Sequence, residues 1–235
     1  MTSAEILEKI KSLENKSVKK VLIKHGAKEP FYGVKIEELK KIQKIVKKDY
    51  KLALELYDSG ISDAMYLAGM IADESKMTKK DIQQWVKNAY WNMLSEYTVA
   101  WVASESKFGT ELAMEWIDDK AENIASSGWA TWADIVSLKP DAELDLALLK
   151  KLLLRIEKQI HEQPNRVRYT MNGFVIAVGL YVGALTEMAL QVAARIGKVS
   201  VNLGDTACKV PAAADYIKKV LAKKEAAKKK KTVRC

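Results

Sequence analysis

Cysteine and histidine are almost missing: Cys208, Cys235, His25 and His161 are the only ones in 235 residues. That leaves no Cys/His zinc cluster and no disulfide framework, and it fits a reducing cytoplasm. Proline (4) and glycine (11) are also scarce, which argues against a loop-rich all-β fold with its frequent turns. The first residues, Met1-Thr2-Ser3-Ala4-Glu5, lack the basic stretch and apolar core of a signal peptide, so none is expected. Long apolar runs are missing too. The uncharged stretch from Tyr169 to Thr186 contains Thr170, Asn172, Gly173, Gly179 and Gly183. It reads as one buried helix or two short ones, since a membrane span needs about 20 apolar residues.

What is present is apolar mass and lysine. Apolar residues make up 49%, enough for a sizeable core and too many for a disordered chain. The net charge of +9 is unevenly placed. Met1 to Tyr50 carries 13 basic and 7 acidic residues, Lys51 to Ile217 carries 17 and 22, and Lys218 to Cys235 carries 9 and 1. Basic ends attract nucleic acid or anionic lipid, or keep a chain soluble. Most of the excess therefore belongs to the last segment, and net charge alone says little about what the body binds.

Almost every segment has helical periodicity. Thr2 to Glu5 is a capping box opening a helix with Ile6, Leu7, Ile10 and Leu13 on one face. Ser17 is the expected cap of a second helix. Similar patterns run through Ile36–Val46, Lys51–Tyr57, Ser62–Ala72, Thr78–Val86, Asn92–Ser104, Gly109–Asp119, Glu122–Leu138, Leu144–Gln163, Arg166–Leu180 and Ala184–Ile196. Lys198 to Gly204 reads as an ordered loop before a last helix from Ala212. Twelve or thirteen helices with short connectors are too many for a four-helix bundle, but they suit helix pairs stacked as a solenoid. The expectation is one all-α domain over residues 1–222, with a degenerate structural repeat, and a basic, disordered tail over 223–235.

All six tryptophans (Trp85, Trp91, Trp101, Trp116, Trp129 and Trp132) lie between positions 85 and 132, with Tyr90 and Tyr97 among them. At helical spacing each suits packing. Their concentration would equally suit an aromatic-lined groove for bases, cationic groups or a peptide. Trp129 and Trp132 are three apart and share a helix face. Asp134 follows them, and Glu105 and Glu122 could approach in space. Arg166 and Arg168 open a helix, where arginines pair with a carboxylate or face phosphate. Cys208 has no neighbouring histidine and reads as a buried structural thiol. His25 and His161 fall near helix ends, where they complement the dipole.

Phe31-Tyr32-Gly33-Val34-Lys35-Ile36-Glu37-Glu38-Leu39-Lys40 resembles the aromatic-Gly-Val/Ile signature near the start of the AlkD-type DNA alkylation repair family. Gly128-Trp129-Ala130-Thr131-Trp132-Ala133-Asp134 falls where that family has its Trp-centred active-site helix. Arg166 to Gly179 resembles its later helix, arginine-led and then apolar. The resemblance covers roughly Ser17 to Val220. It implies HEAT-like repeats with a concave basic face that cradles duplex DNA. It also implies an N-glycosylase that excises N3- and N7-alkylated purines. Alkylation makes such a base cationic and a good leaving group. The enzyme then has to stabilise an oxocarbenium-like sugar with a carboxylate and to position water, while flat aromatics meet the cationic nucleotide. No metal or cofactor is implied.

By this resemblance Trp129 and Asp134 are the catalytic pair, and Arg166, Arg168, Trp132 and Tyr32 face DNA. The chain departs from the family at one place. Catalytic members carry Asp four positions after the active-site Trp; here that position is Ala133, and Asp134 is one later, a rotation of about 100°. Either the register shifts by one or the acid is absent. The alternatives to a glycosylase are a non-catalytic HEAT-like duplex-DNA-binding protein and a protein-interaction scaffold. The partner expected is duplex DNA, with neither membrane nor metal. A cytoplasmic, nucleoid-associated monomer is expected.

Overall fold

Helices begin where the sequence supplies caps. In the computed structural model, which describes residues 1–223 and 227–234, Thr2 and Thr78 close capping boxes with Glu5 and Asp81. Asn15, Asp49 and Asp145 accept from the backbone of the first turn of their helices. Each cap satisfies an otherwise orphaned N–H and contributes about 1 kcal/mol. The second helix is capped by Asn15 and starts at Lys16, so Ser17 lies inside it.

The elements run α1 (Ser3–Ser12), α2 (Lys16–Lys24), α3 (Ile36–Val46), α4 (Tyr50–Asp58), α5 (Ser62–Ile71) and α6 (Lys79–Asn88). A π-helical segment (Leu94–Val99) continues into α7 (Ala100–Glu105). Then come α8 (Gly109–Trp116), α9 (Glu122–Leu138), α10 (Leu146–Gln159), α11 (Asn165–Tyr181), α12 (Thr186–Ile196) and α13 (Ala213–Leu221). Short 3-10 turns at Asp141–Glu143, Ile160–Glu162 and Gly183–Leu185 tighten the connections. No strand occurs among the described residues. Lys198 to Gly204 is an ordered loop.

These helices form two layers. From α4 onward they pair in sequence, and the second member of each pair stacks on its equivalent in the next: α5, the π-segment with α7, α9, α11 and α13. This row is the inner layer; α4, α6, α8, α10 and α12 back it. The result is the all-α HEAT-like repeat expected, with its inner face along that row. One hydrophobic cluster runs from Ile6 to Trp116 and a second from Ala113 to Ala213, so α8 contributes to both and no linker divides them. Small residues set how closely neighbouring inner helices approach. All ten residues of α5 are buried, and a Cβ at Gly69 would stand 2.7 Å from Thr98 Cγ2.

The uncharged stretch from Tyr169 breaks at Val182, between α11 and α12, which meet at 117°. No single helix among the described residues is long and apolar enough to cross a membrane.

Candidate nucleic-acid interface

Helix α9 carries the residues expected to do chemistry, and it divides them between two faces. Trp129 is completely buried, and its ring meets the Phe174 ring edge-on at 5.6 Å. The Arg155 guanidinium of α10 stands 5.6 Å from the same ring. Trp132 is also buried. Neither indole N–H finds a partner among the described residues. The other four tryptophans are equally internal. Trp85 stacks on Tyr57 at 4.1 Å, Trp91 donates to Ser62 Oγ at 2.7 Å, and Trp101 packs edge-on against Tyr66. The tryptophan concentration is therefore core packing, and the expectation that Trp129 and Trp132 face a groove is corrected. α9 is flanked by α7, α8 and α11, so most of its circumference is buried, with Ser126, Ser127, Thr131 and Ser137 buried beside its apolar residues.

Asp134 looks the other way. Five residues after Trp129, it is displaced by about 140° around the helix. It is half-buried, and its carboxylate accepts no hydrogen bond from the described residues. Burial pushes its pKa up to about 8, Lys230 opposes that rise, and Glu105 adds to it. At neutral pH the group is mostly a neutral acid. The structure thus does not bring Trp129 and Asp134 together: the indole belongs to the core and the acid to the inner face.

Arg166 is committed to a carboxylate. Its guanidinium forms a two-pronged pair with Glu96, Nε to Oε1 at 2.7 Å and Nη2 to Oε2. Glu96 lies in the π-helical segment, where the widened turn delivers its side chain inward. Burial raises the Glu96 carboxyl above its ordinary range, and Arg166 opposes that. The Arg166 N–H donates to Glu122 Oε1 at 2.7 Å, and its guanidinium also covers the Tyr169 ring. Arg168 differs. It is half-buried, and its Nε is shielded from solvent with no partner among the described residues.

The aromatic-Gly-Val signature has a structural cause. Asp63 Oδ2 accepts from Tyr32 N at 2.6 Å and Oδ1 from Val34 N at 2.7 Å. Gly33 adopts φ +70°, and a Cβ there would stand 2.6 Å from Lys19 N. The loop passes too close to α2 for any side chain at that position. Tyr32 is half-buried against the N-terminal core, so its main visible role is packing.

The C-terminal segment departs most from expectation. Of the supposed disordered tail, residues 224–226 and 235 lie outside the described residues. Residues 227–234 cross the C-terminal ends of the inner helices in reverse order. Ala227 N donates to Leu180 O, Lys229 Nζ to Val136 O, Lys230 N to Ser137 O, and Arg234 Nη1 to Ala72 O. Each bond satisfies a carbonyl at or just beyond a helix end, where positive charge is favoured. Carboxylates complete the seat. Arg234, 5% exposed, pairs with Glu74 at 2.8 Å and with Glu105 at 2.9 Å. Lys229 pairs with Asp141 at 2.8 Å. Glu105 also accepts from Val233 N and Thr232 Oγ1. Lysine composition predicts solvation, and the acidic ends of four helices override it.

Between this segment and the ends of α3, α5, α7 and α9 lies an open cavity of about 920 Å3. Its walls carry eight cations and three carboxylates. Cys208, expected to be buried, is exposed in the loop before α13. His161 Nε2 meets Ile196 O at 2.9 Å, tying the turn after α10 to the end of α12.

Comparison with known proteins places this architecture. Residues 6–228 match the family described as DNA alkylation repair enzyme. Two curated relatives, the uncharacterized protein Lin0241 of Listeria innocua and the uncharacterized protein Lmo0209 of Listeria monocytogenes, are each 34% identical over 225 residues. The match covers 93% of this chain and 97% of either relative. A solved structure superposes with a TM-score of 0.92 at 33% identity, covering both chains entirely. It represents a new family of proteins related to the HEAT-like repeat DNA glycosylases with affinity for branched DNA structures. With the family match over nearly the whole length and the same helical repeat, this chain belongs to the DNA alkylation repair enzyme family.

Proposed function

We propose that the protein binds DNA through backbone phosphates, branched DNA included, and does not excise bases. One observation carries this reading: on α9, where the family's active-site helix falls, both indoles are buried and none is left to meet a cationic nucleotide. Asp134, the acid that follows them on the helix, is mostly neutral near pH 7 and so poorly suited to stabilise a sugar cation. The basic cavity and the affinity of the structural relative for branched DNA support the binding half.

The test pairs two measurements. Fluorescence anisotropy with a labelled four-way junction and a linear duplex should show binding that weakens steeply with salt. Methylated duplex DNA incubated with the same preparation should release no 7- or 3-methylpurine above background. Absence of DNA binding removes the proposal.

A glycosylase is the second reading, favoured by an unbonded carboxyl on the inner face at Asp134. Methylpurine release abolished by Asp134→Asn would establish it instead.

A further inference from the structure

We propose that residues 227–234 are a fixed wall of the DNA site, which convert an edge of helix carbonyls and carboxylates into a channel for backbone phosphates. This rests on the binding reading above and names the part of the surface that carries it.

Without this segment the edge is hostile to phosphate. The inner helices end there with partial negative charge, and Glu74, Glu105 and Asp141 stand beside them. The segment neutralises both. Its backbone N–H groups, Lys229 and Arg234 take the carbonyls and pair with all three carboxylates. The lysines left over define the channel. Lys44 and Lys47 come from the end of α3, Lys107 follows α7, Lys139 follows α9, and Lys231 belongs to the segment itself. None of the five has a carboxylate within ion-pair distance among the described residues. Lys48, paired with Glu74, also lines the cavity, as does one further acid, Glu143. Lysines from three helix ends and the segment around one open cavity are what a phosphate chain needs: several point charges, free of internal partners, along one path.

The segment also lies beside Asp134, with Lys230 near that carboxyl and 5.7 Å from the Tyr181 ring. A strap over a groove could instead be a lid that competes with DNA, and a basic tail could act while mobile. Arg234→Gln in the full chain separates the three. It unseats the segment, leaves Glu105 without its cation and Glu74 with Lys48 alone, yet removes no lysine from the chain. The wall predicts about tenfold weaker junction binding and a shallower salt dependence. Tighter binding means a lid and unchanged binding means a mobile tail; either overturns the proposal. Circular dichroism on the same variant checks that the body stays folded.

Lys107→Ala with Lys139→Ala gives a second route, since Lys107 is exposed, Lys139 is half-buried and neither pairs with a carboxylate among the described residues. The slope of log K against log salt should fall by about 0.9 for each phosphate no longer neutralised, so by nearly two. An unchanged slope overturns the channel even if Arg234→Gln fails to fold. If the parent protein binds no DNA at all, the failure belongs to the binding reading on which the channel rests.

Discussion

Asp134 is the residue whose chemistry depends most on its surroundings. Its folded pKa of about 8 lies far above the ordinary carboxylate range. Between the two values the folded chain holds a proton that the unfolded chain has released. Its contribution to stability is therefore full at low pH and is lost as pH rises toward 8. Asp134→Asn keeps the shape and removes the titration. Thermal melts should show the variant gaining on its parent as pH increases, least at pH 5 and most at pH 9. Each kcal/mol recovered is worth about 2–4 °C. A difference independent of pH would show that the acid is not held neutral.

Arg166 carries a different risk. Replacing it by alanine leaves Glu96, 2% exposed, without its cation. Loss of one partner of a buried pair costs about 3–5 kcal/mol. Chemical denaturation should show that loss, and Glu96→Gln with Arg166→Gln together should cost less than Arg166→Ala alone. Equal costs would mean the pair is not coupled. The sequence left Arg166 open between a carboxylate and phosphate because Glu96 is 70 residues away and reaches it only through a π-turn, which no local pattern announces.

Among the helices, α9 marks where periodicity stops being informative. Its bounds, Glu122 to Leu138, were legible from pattern alone. Which face looked into a groove was not, because a helix packed on three sides buries small, apolar and hydroxyl residues nearly all round and shows no clear polar stripe. Trp129 and Trp132 therefore looked as suitable for a site as for a core. Glycines distinguish packed faces from open ones. A Cβ at Gly128 would lie 2.7 Å from Ile117 N and 2.9 Å from Trp116 Cβ, whereas one at Gly173 in α11 would meet nothing within 4 Å. Both substitutions to alanine gain up to about 1 kcal/mol of helix propensity. At Gly128, overpacking against α8 backbone costs about 1–3 kcal/mol and wins. Urea midpoints should fall for Gly128→Ala and rise for Gly173→Ala; movement in the same direction would contradict this packing.

At the scale of the whole molecule, a repeat fold is held mainly by contacts between neighbours, but here both edges carry ties between distant parts. The C-terminal segment spans one edge from Leu180 to Ala72. Composition suggested disorder there, because its partners Glu74, Glu105 and Asp141 lie far away in sequence. On the opposite edge, α2 meets the loop before α13. Lys24 pairs with Asp205 at 3.2 Å, and Asn165 at the start of α11 exchanges two hydrogen bonds with Asn202. Gly204 sits at φ +75°, where a Cβ would overlap Lys24 O. Gly204→Ala is thus excluded by conformation and by space, and the loop must lift away from α2. Hydrogen exchange should then quicken in α2 and in residues 199–211, while α7 to α9, which touch neither tie on this edge, keep their protection. Protection unchanged in α2 would mean that the two ends of the repeat stack are not mechanically joined. Faster exchange at α7 to α9 would be equally inconsistent, since loosening one edge leaves those helices packed as before.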